Sequence, residues 1–435
     1  FSEIWRKYGP AVQLIAAICT VVISCLIQTD GVRSPYGDQA QVYGAAMYFN
    51  SGLFVQLSPG GYLDMYPQQL GYILMLQTLF RITGASSFHL VQILNCIFTG
   101  IAVFGTCLFA NTLTEDALSQ FFCTVFLFFS LPLYLFPSLV YGDIPSLAFS
   151  MFFLYHIAMA LKHGKKRDFV LSLINICFAV LLKKNALILL IAAGMILFVK
   201  ILSEKKYKYF LFLICLCILP LLSVSAVEKY YEKASGYTFT GGIPALAWIA
   251  MGTIEQNAPG WFNNYAAPLY NENHYDPAAT SAEALEKLEE RITYFLENPV
   301  YGMSFWKRKI CTQWNDPFYH SDELLPLDEG EALSGITAYL LAHKASVRIL
   351  LSLGQNIVYL GMILYLVYRQ NQKKLYLLIP ELCILGGFLF SLLWEANSRF
   401  IIVYYMASLP LSLMGWRMSL RNIHIAASAP RHGCS

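Results

Sequence analysis

The sequence predicts an all-α polytopic membrane protein: about ten transmembrane helices, amphipathic surface helices in the first outer loop, and a mainly helical outer domain. Three observations carry this. Hydrophobic residues make up 57% of the 435-residue chain and charged residues only 13%, against roughly 25% charged in soluble domains. Apolar runs long enough to cross a bilayer recur along most of the length. Lysine and arginine concentrate in alternate loops between those runs.

The first run, 11–29, follows Arg6 and Lys7 and meets no small-residue cleavage motif, so it reads as a span that is kept. Further spans are expected at 86–110, 117–137, 145–162, 168–182, 186–202, 209–226, 346–368, 375–394 and 400–416. One more apolar segment, 68–83, is short and carries Gln68, Gln69, Gln77 and Thr78, so it reads as an amphipathic helix at the outer surface. Counting it as a span would put the N-terminus and the basic loops (162–167, 205–208, 369–374 and 417–421) on opposite sides. Leaving it out places them all in the cytoplasm.

Three parts follow. Residues 1–227 form a transmembrane module whose first outer loop, 30–86, holds helix-like segments at 36–51 and 68–83 around "SPGGYLDMYP". Residues 228–344 are an extracytoplasmic insertion of ordinary domain size. Within it Thr280 and Glu283 suggest a capping box, followed by the apolar stripe Leu285, Leu288, Ile292 and Phe295 and then Pro299. Residues 345–435 supply the last spans and a cytoplasmic tail.

Composition also excludes classes. The net charge is +3 with no basic block, so no nucleic-acid partner is indicated. Nine of 11 cysteines lie inside apolar runs, leaving Cys311 and Cys434, and no histidines pair at ligand spacing; neither a disulfide framework nor a metal site is expected. No cofactor is indicated.

In such a chain the informative residues are ionisable ones at the ends of spans. Asp38 starts a loop helix, where an acid is otherwise explained by the helix dipole; Asp30 at the end of the first span is its rival. Asp143 in "LVYGDIPS" stands between two spans, where an N-cap before Pro145 would also account for it. Lys183 and Lys184 stand on the outer side, against the charge rule, although snorkelling is the plainer explanation. Glu395 and Arg399 in "WEANSRF" are spaced for a helical ion pair, yet an arginine at a span end also suits an anion. Together they describe one outward-facing cleft with acids from two loops and cations from two others.

That layout resembles the GT-C superfamily of glycosyltransferases, in particular the bacterial branch related to protein O-mannosyltransferases and lipid A aminoarabinose transferases. The residues carrying the resemblance are Asp38, "MYPQQLGYILMLQ" around Pro67, Asp143 in "YGDIPS", Lys183 or Lys184, and Arg399-Phe400, over roughly 10–205 and 375–418. The chain departs from the pattern in having "YPQQ" where many relatives have a Lys-Pro-Pro-type motif. The insertion has no counterpart, though "WKRKICTQWNDP" looks like outer-domain segments of bacterial relatives. The resemblance implies an inverting, metal-independent transfer of a sugar from a polyprenyl-phosphate donor to a hydroxyl of a glycan, lipid or protein acceptor on the outer face of the membrane. Asp38 would be the base, Asp143 an orienting acid, and Arg399, Lys183 and Lys184 the phosphate ligands. Asp30, Arg33, Tyr66, Gln68, Gln69 and Glu395 would line the cleft.

A polytopic transporter or flippase is the alternative; it predicts interrupted helices in matching halves and no need for a base at Asp38. The outer segments hold no Asn-x-Ser/Thr sequon, which favours a bacterial plasma membrane over the endoplasmic reticulum.

Overall fold

The computed structural model describes residues 1–30, 34–324, 335–369 and 374–428, with side chains to residue 422. Among these residues there is no β-strand. The chain enters through α1 (Ser2–Gln28), and the loop behind it folds as α2 (Gly37–Asn50), the one-turn α3 (Tyr62–Met65) and α4 (Leu70–Thr83). Next come α5 (Phe88–Leu113), α6 (Ala117–Phe128), α7 (Leu131–Leu135), α8 (Asp143–His163), α9 (Lys166–Leu182), α10 (Leu187–Ser203) and α11 (Phe210–Ser235). The insertion contributes α12 (Ala245–Met251), α13 (Ala266–Glu272), α14 (Pro277–Glu297), α15 (Pro299–Trp314) and α16 (Gly335–Ala342). Helices α17 (Lys344–Tyr368), α18 (Leu378–Leu393) and α19 (Ile402–Ser428) complete it.

Seven helices, α1, α5, α8, α10, α11, α17 and α18, are long and apolar enough to cross a membrane. Helices α6 and α7, running on to Ser138, meet at a 47° bend and make an eighth crossing if they act as one. This is a multi-pass helical membrane protein. Two expected spans fall short on these criteria. Helix α9 has 17 residues, about 25 Å against a ~30 Å hydrocarbon core. Helix α19 interrupts its apolar run with Tyr404, Tyr405, Ser408, Ser412 and Arg417.

The segment expected to lie along the surface is α4, whose 14 residues reach only about 21 Å and cannot cross. It is not an open surface helix, however. Leu70, Ile73, Leu76 and Phe80 are buried in the main core, and Gln77 accepts a hydrogen bond from Tyr231 of α11 at 2.8 Å. Two boundaries in the insertion also move. Helix α11 continues to Ser235, past the expected break at 227. Helix α14 begins at Pro277, where Asp276 caps the amides of Ala278 and Ala279. The expected capping box therefore lies inside the helix: an acid directly before proline supplies both the cap and the fixed φ earlier. Thr280 instead bonds back to the Asp276 carbonyl, and Glu283 accepts from Asn273. Of the stripe, Leu288 packs within the insertion and Phe295 against Phe305 and Trp306, while Leu285 and Ile292 stay exposed.

The two ends of the bundle differ chemically. Asp143 and Lys162 lie at opposite ends of α8. At the Lys162 end, its ammonium donates to Thr112 O and Asp116 binds Arg417 and Arg421. The Asp143 end carries the candidate site.

Candidate functional site

The site is assembled from three chain reversals at one end of the bundle. Helix α8 starts at Asp143 with Gly142 as its N-cap, so Asp143 stands in the first turn and does not cap it. Its carboxylate pairs with the Lys183 ammonium, a contact between residues 40 apart. Gly142 makes that approach feasible: a Cβ there would collide with the Leu182 carbonyl. Lys183 is extended (φ −157°, ψ 116°) between the end of α9 and the turn opening α10, which turns it into the bundle. Lys184, the next residue, is exposed and lines a neighbouring cavity with Gln68 and Glu228. The two lysines therefore serve different pockets, and only Lys183 joins Asp143.

Arg399 sits in the turn Ser398–Phe400 ahead of α19; the Asn397 side chain accepts its backbone amide at 3.1 Å. Among the described residues no ion pair joins Glu395 to Arg399, because residues 395–397 are not helical and the i,i+4 geometry is lost. Glu395 is hydrogen-bonded to Asn397 instead and acts on Arg399, Lys183 and Tyr66 only through its field. The Phe400 ring lies 4.7 Å from Lys183 Nζ and 5.2 Å from the Arg399 guanidinium, so each cation gains a cation–π contact with it.

Asp143, Lys183, Asn185 and Arg399 line one partly open cavity of about 30 Å³. The rest of its lining is mainly apolar, with Ile144, Leu147, Leu189, Ile402 and Val403 beside Ser146 and Ser150. Asp143 Oδ2, Asn185 Nδ2 and Arg399 Nε are buried with no partner among the described residues. Such atoms cost about 1–3 kcal/mol each when left unpaired. Two cations against one carboxylate leave the wall with one net positive charge. Chemically, the arrangement sets positive, hydrogen-bonding groups beside apolar side chains.

Tyr141 links this cavity to Asp38. Arg399 lies 5.4 Å from its ring, Gln69 donates to its hydroxyl, and Tyr62 Oη lies 3.3 Å from its Oη. Tyr66 packs on Tyr62 with ring centroids 4.8 Å apart and the planes tilted by 40°. Asp38 is in the first turn of α2 with its side chain exposed. The next residue, Gln39, accepts the Val140 amide at 2.8 Å and so locks the start of α2 beside Tyr141. The charge of Asp38 is felt at Tyr62, Tyr66, Tyr141 and Arg399. Burial, reinforced by Asp38 and Glu395, pushes the Tyr66 phenol up to about 12. Burial also pushes Tyr62 and Tyr141 upward. All three remain protonated donors. Burial pulls the Lys183 ammonium down to about 8, with Asp143 opposing the shift.

The structure thus brings together Asp143, Lys183 and Arg399, with Asp38, Tyr66, Gln69 and Glu395 around them. It sets apart Lys184 and Gln68, which face the neighbouring cavity, and Asp30, which accepts the Thr337 amide of α16 at 3.4 Å. Arg33 lies outside the described residues. Sequence reasoning missed Tyr141 and Tyr62 as site residues. The one signal was the placing of Tyr141 two residues before Asp143.

The fold and the cavity define a class: a multi-pass helical membrane protein with an amphipathic, net-positive pocket at one end of its bundle. No family model matches this chain, and no curated protein matches it.

Proposed function

We propose that the protein is an integral-membrane glycosyltransferase of GT-C type that moves a sugar from a polyprenyl-phosphate donor to an acceptor hydroxyl with inversion. The observation carrying this reading is the convergence of three orphaned polar atoms, two cations and an apolar wall on one cavity. Lys183, Asn185 and Arg399 bind the phosphate, and the Ile144, Leu147 and Leu189 side takes the first prenyl units. Asp143 Oδ2 accepts from a sugar hydroxyl. Asp38, exposed at the rim, takes the proton of the acceptor hydroxyl as its oxygen bonds to the anomeric carbon. The bond from that carbon to phosphate breaks on the opposite face. Its electron pair stays on the phosphate oxygen, held by fixed cations. The topology that accompanies this reading adds α9 and α19 to the eight crossings, with both termini cytoplasmic and the site facing outward from a bacterial plasma membrane.

The test is turnover. Purified protein in proteoliposomes, given a panel of polyprenyl-phosphate sugars, should release polyprenyl phosphate from at least one when acceptor is present. Failure across the panel by protein that unfolds cooperatively and binds no donor rejects the reading. In the same vesicles Arg399→Ala should weaken donor binding more than Arg399→Lys, because a guanidinium reaches two phosphate oxygens and an ammonium is a point charge. Equal, wild-type binding by both variants would leave Arg399 without a ligand role.

Acidity offers a second check. A polyprenyl phosphodiester carries one negative charge throughout the range tested, so any titration belongs to the protein. With its folded pKa depressed to about 8, Lys183 is charged below that value and neutral above it. Donor affinity should be full near pH 6.5 and fall as pH rises through about 8, whereas Lys183→Arg should show a flat profile to pH 9.5. Dissociation constants that do not change with pH in the wild type would remove Lys183 from the phosphate site.

A transporter or flippase is the second reading, favoured by the 47° break between α6 and α7. It predicts that Asp38→Asn leaves activity intact.

A further inference from the structure

The segment "KICTQWND" places Lys309, Gln313 and Asp316 at i, i+4 and i+7, which puts all three on one face of α15 and the turn after it. A polar stripe of this kind is ordinarily exposed. Here Lys309 is 0% and Gln313 1% exposed, so their polar atoms must be answered by protein. Gln313 Nε2 and, in part, Lys309 Nζ are answered by the stretch that leads to Arg399, while Gln313 Oε1 has no partner among the described residues. Lys309 Nζ donates to Leu392 O at 2.9 Å and to Gly252 O at 2.6 Å. Gln313 donates to Glu395 O at 2.8 Å. Ala396 N donates to Gly260 O, another residue of the insertion, at 2.7 Å. The last link falls one residue before the arginine: Ser398 Oγ donates to Asp316 Oδ2 at 2.7 Å.

Asp316 is itself held from every side. Its Oδ2 also accepts His320 N at 2.9 Å, and its Oδ1 accepts Phe318 N at 3.3 Å and Arg348 Nη1 of α17 at 3.0 Å. A carboxylate has about four acceptor positions, and all four are used here, so it cannot swing to follow Ser398. The arginine-bearing turn is closed by its own backbone and by Asn397, which accepts the Arg399 amide at 3.1 Å, but the guanidinium is not fixed by a side-chain hydrogen bond among the described residues. It is a single turn between two helices, and Arg399 Nε has no partner among the described residues.

We propose that the buried polar stripe of α15 is a template that sets the position of Arg399, and that Asp316, acting through Ser398, is its positioning residue. The insertion is thereby coupled to the membrane cavity: whatever binds to or shifts α15 moves the guanidinium relative to Lys183. The functional consequence rests on the reading of Arg399 as a phosphate ligand, while the mechanical claim does not.

Two readouts separate them. The first is the rate at which phenylglyoxal modifies Arg399, followed by mass spectrometry of its peptide in intact protein in nanodiscs. The second is the dissociation constant for a polyprenyl-phosphate sugar. Ser398→Ala should speed modification several-fold and weaken donor binding by about tenfold, the equivalent of one charge-assisted hydrogen bond. Ser398→Thr, which keeps the hydroxyl, should restore both, and Asp316→Asn should resemble Ser398→Ala. In an Arg399→Ala background Ser398→Ala should cost no further affinity, a non-additivity that general loosening of the fold would not produce. Wild-type modification rates in Ser398→Ala overturn the template whatever the binding data show. Faster modification together with donor binding that Arg399→Ala leaves unchanged upholds the template and rejects the phosphate reading. Should Asp316→Asn fail to fold, Ser398→Ala alone carries the test.

Discussion

Asp38→Asn is expected to lower sugar transfer by about 10²–10⁴-fold, the usual contribution of a general base, with donor binding and thermal stability near wild type. The exchange keeps the volume and removes the ability to accept a proton. The carboxylate is exposed at the start of α2 and, among the described residues, makes no side-chain hydrogen bond or ion pair. Loss of its favourable interaction with the helix dipole should cost under about 1 kcal/mol. Neighbouring phenols cannot substitute for it, since burial holds Tyr62, Tyr66 and Tyr141 in their protonated forms. Single-turnover transfer with saturating donor isolates the chemical step. Asp30→Asn is the control: it weakens the contact with Thr337 of α16 and should leave transfer within a few-fold. An essential Asp30 with a dispensable Asp38 would move the base. Wild-type transfer by both variants would end the carboxylate mechanism and leave the transferase reading without its base.

Lys183→Met is expected to destabilise the protein by about 3–5 kcal/mol, the range for breaking a buried ion pair from one side. The side chains of Lys183 and Asp143 are 16% and 5% exposed, and Asp143 Oδ2 already lacks a partner. Removing the ammonium leaves a buried carboxylate with neither oxygen paired. The double variant Lys183→Met, Asp143→Asn should recover most of that loss, because a neutral amide is far cheaper to bury than an unpaired charge. It should not recover donor binding, since the cation is still missing. Denaturant unfolding in detergent and donor titration read the two effects separately. A double variant no more stable than Lys183→Met would show that the pair is not the source of the loss.

Parts of the site were readable one residue at a time. Asp143, Lys183 and Arg399 stand out because an ionisable group at the end of an apolar run is costly without a purpose, and that cost is local. Helix α4 was recognisable as non-spanning from its length and its glutamines. The choice between Lys183 and Lys184 was not readable: adjacent residues with the same chemistry diverge because the chain is extended at one and turns at the other. Tyr141 was overlooked because a tyrosine near a membrane surface is ordinary, and its role arises only where Gln69, Tyr62 and Arg399 converge on it. The capping box at Thr280 failed for a simpler reason, since Asp276-Pro277 is the stronger start and lies just upstream.

By itself the sequence determined that this chain is a helical, multi-pass membrane protein with its unusual charges at span ends. Hydropathy and charge act through short stretches of chain, and a short stretch shows them. Only the tertiary structure decided which of those charges share a cavity. The Asp143–Lys183 pair, the Arg399 turn and the α15 stripe that holds it are contacts between distant segments. Their geometry is set by the close passage of Gly142 past the end of α9 and by the packing of the insertion on α18, and no local pattern encodes either.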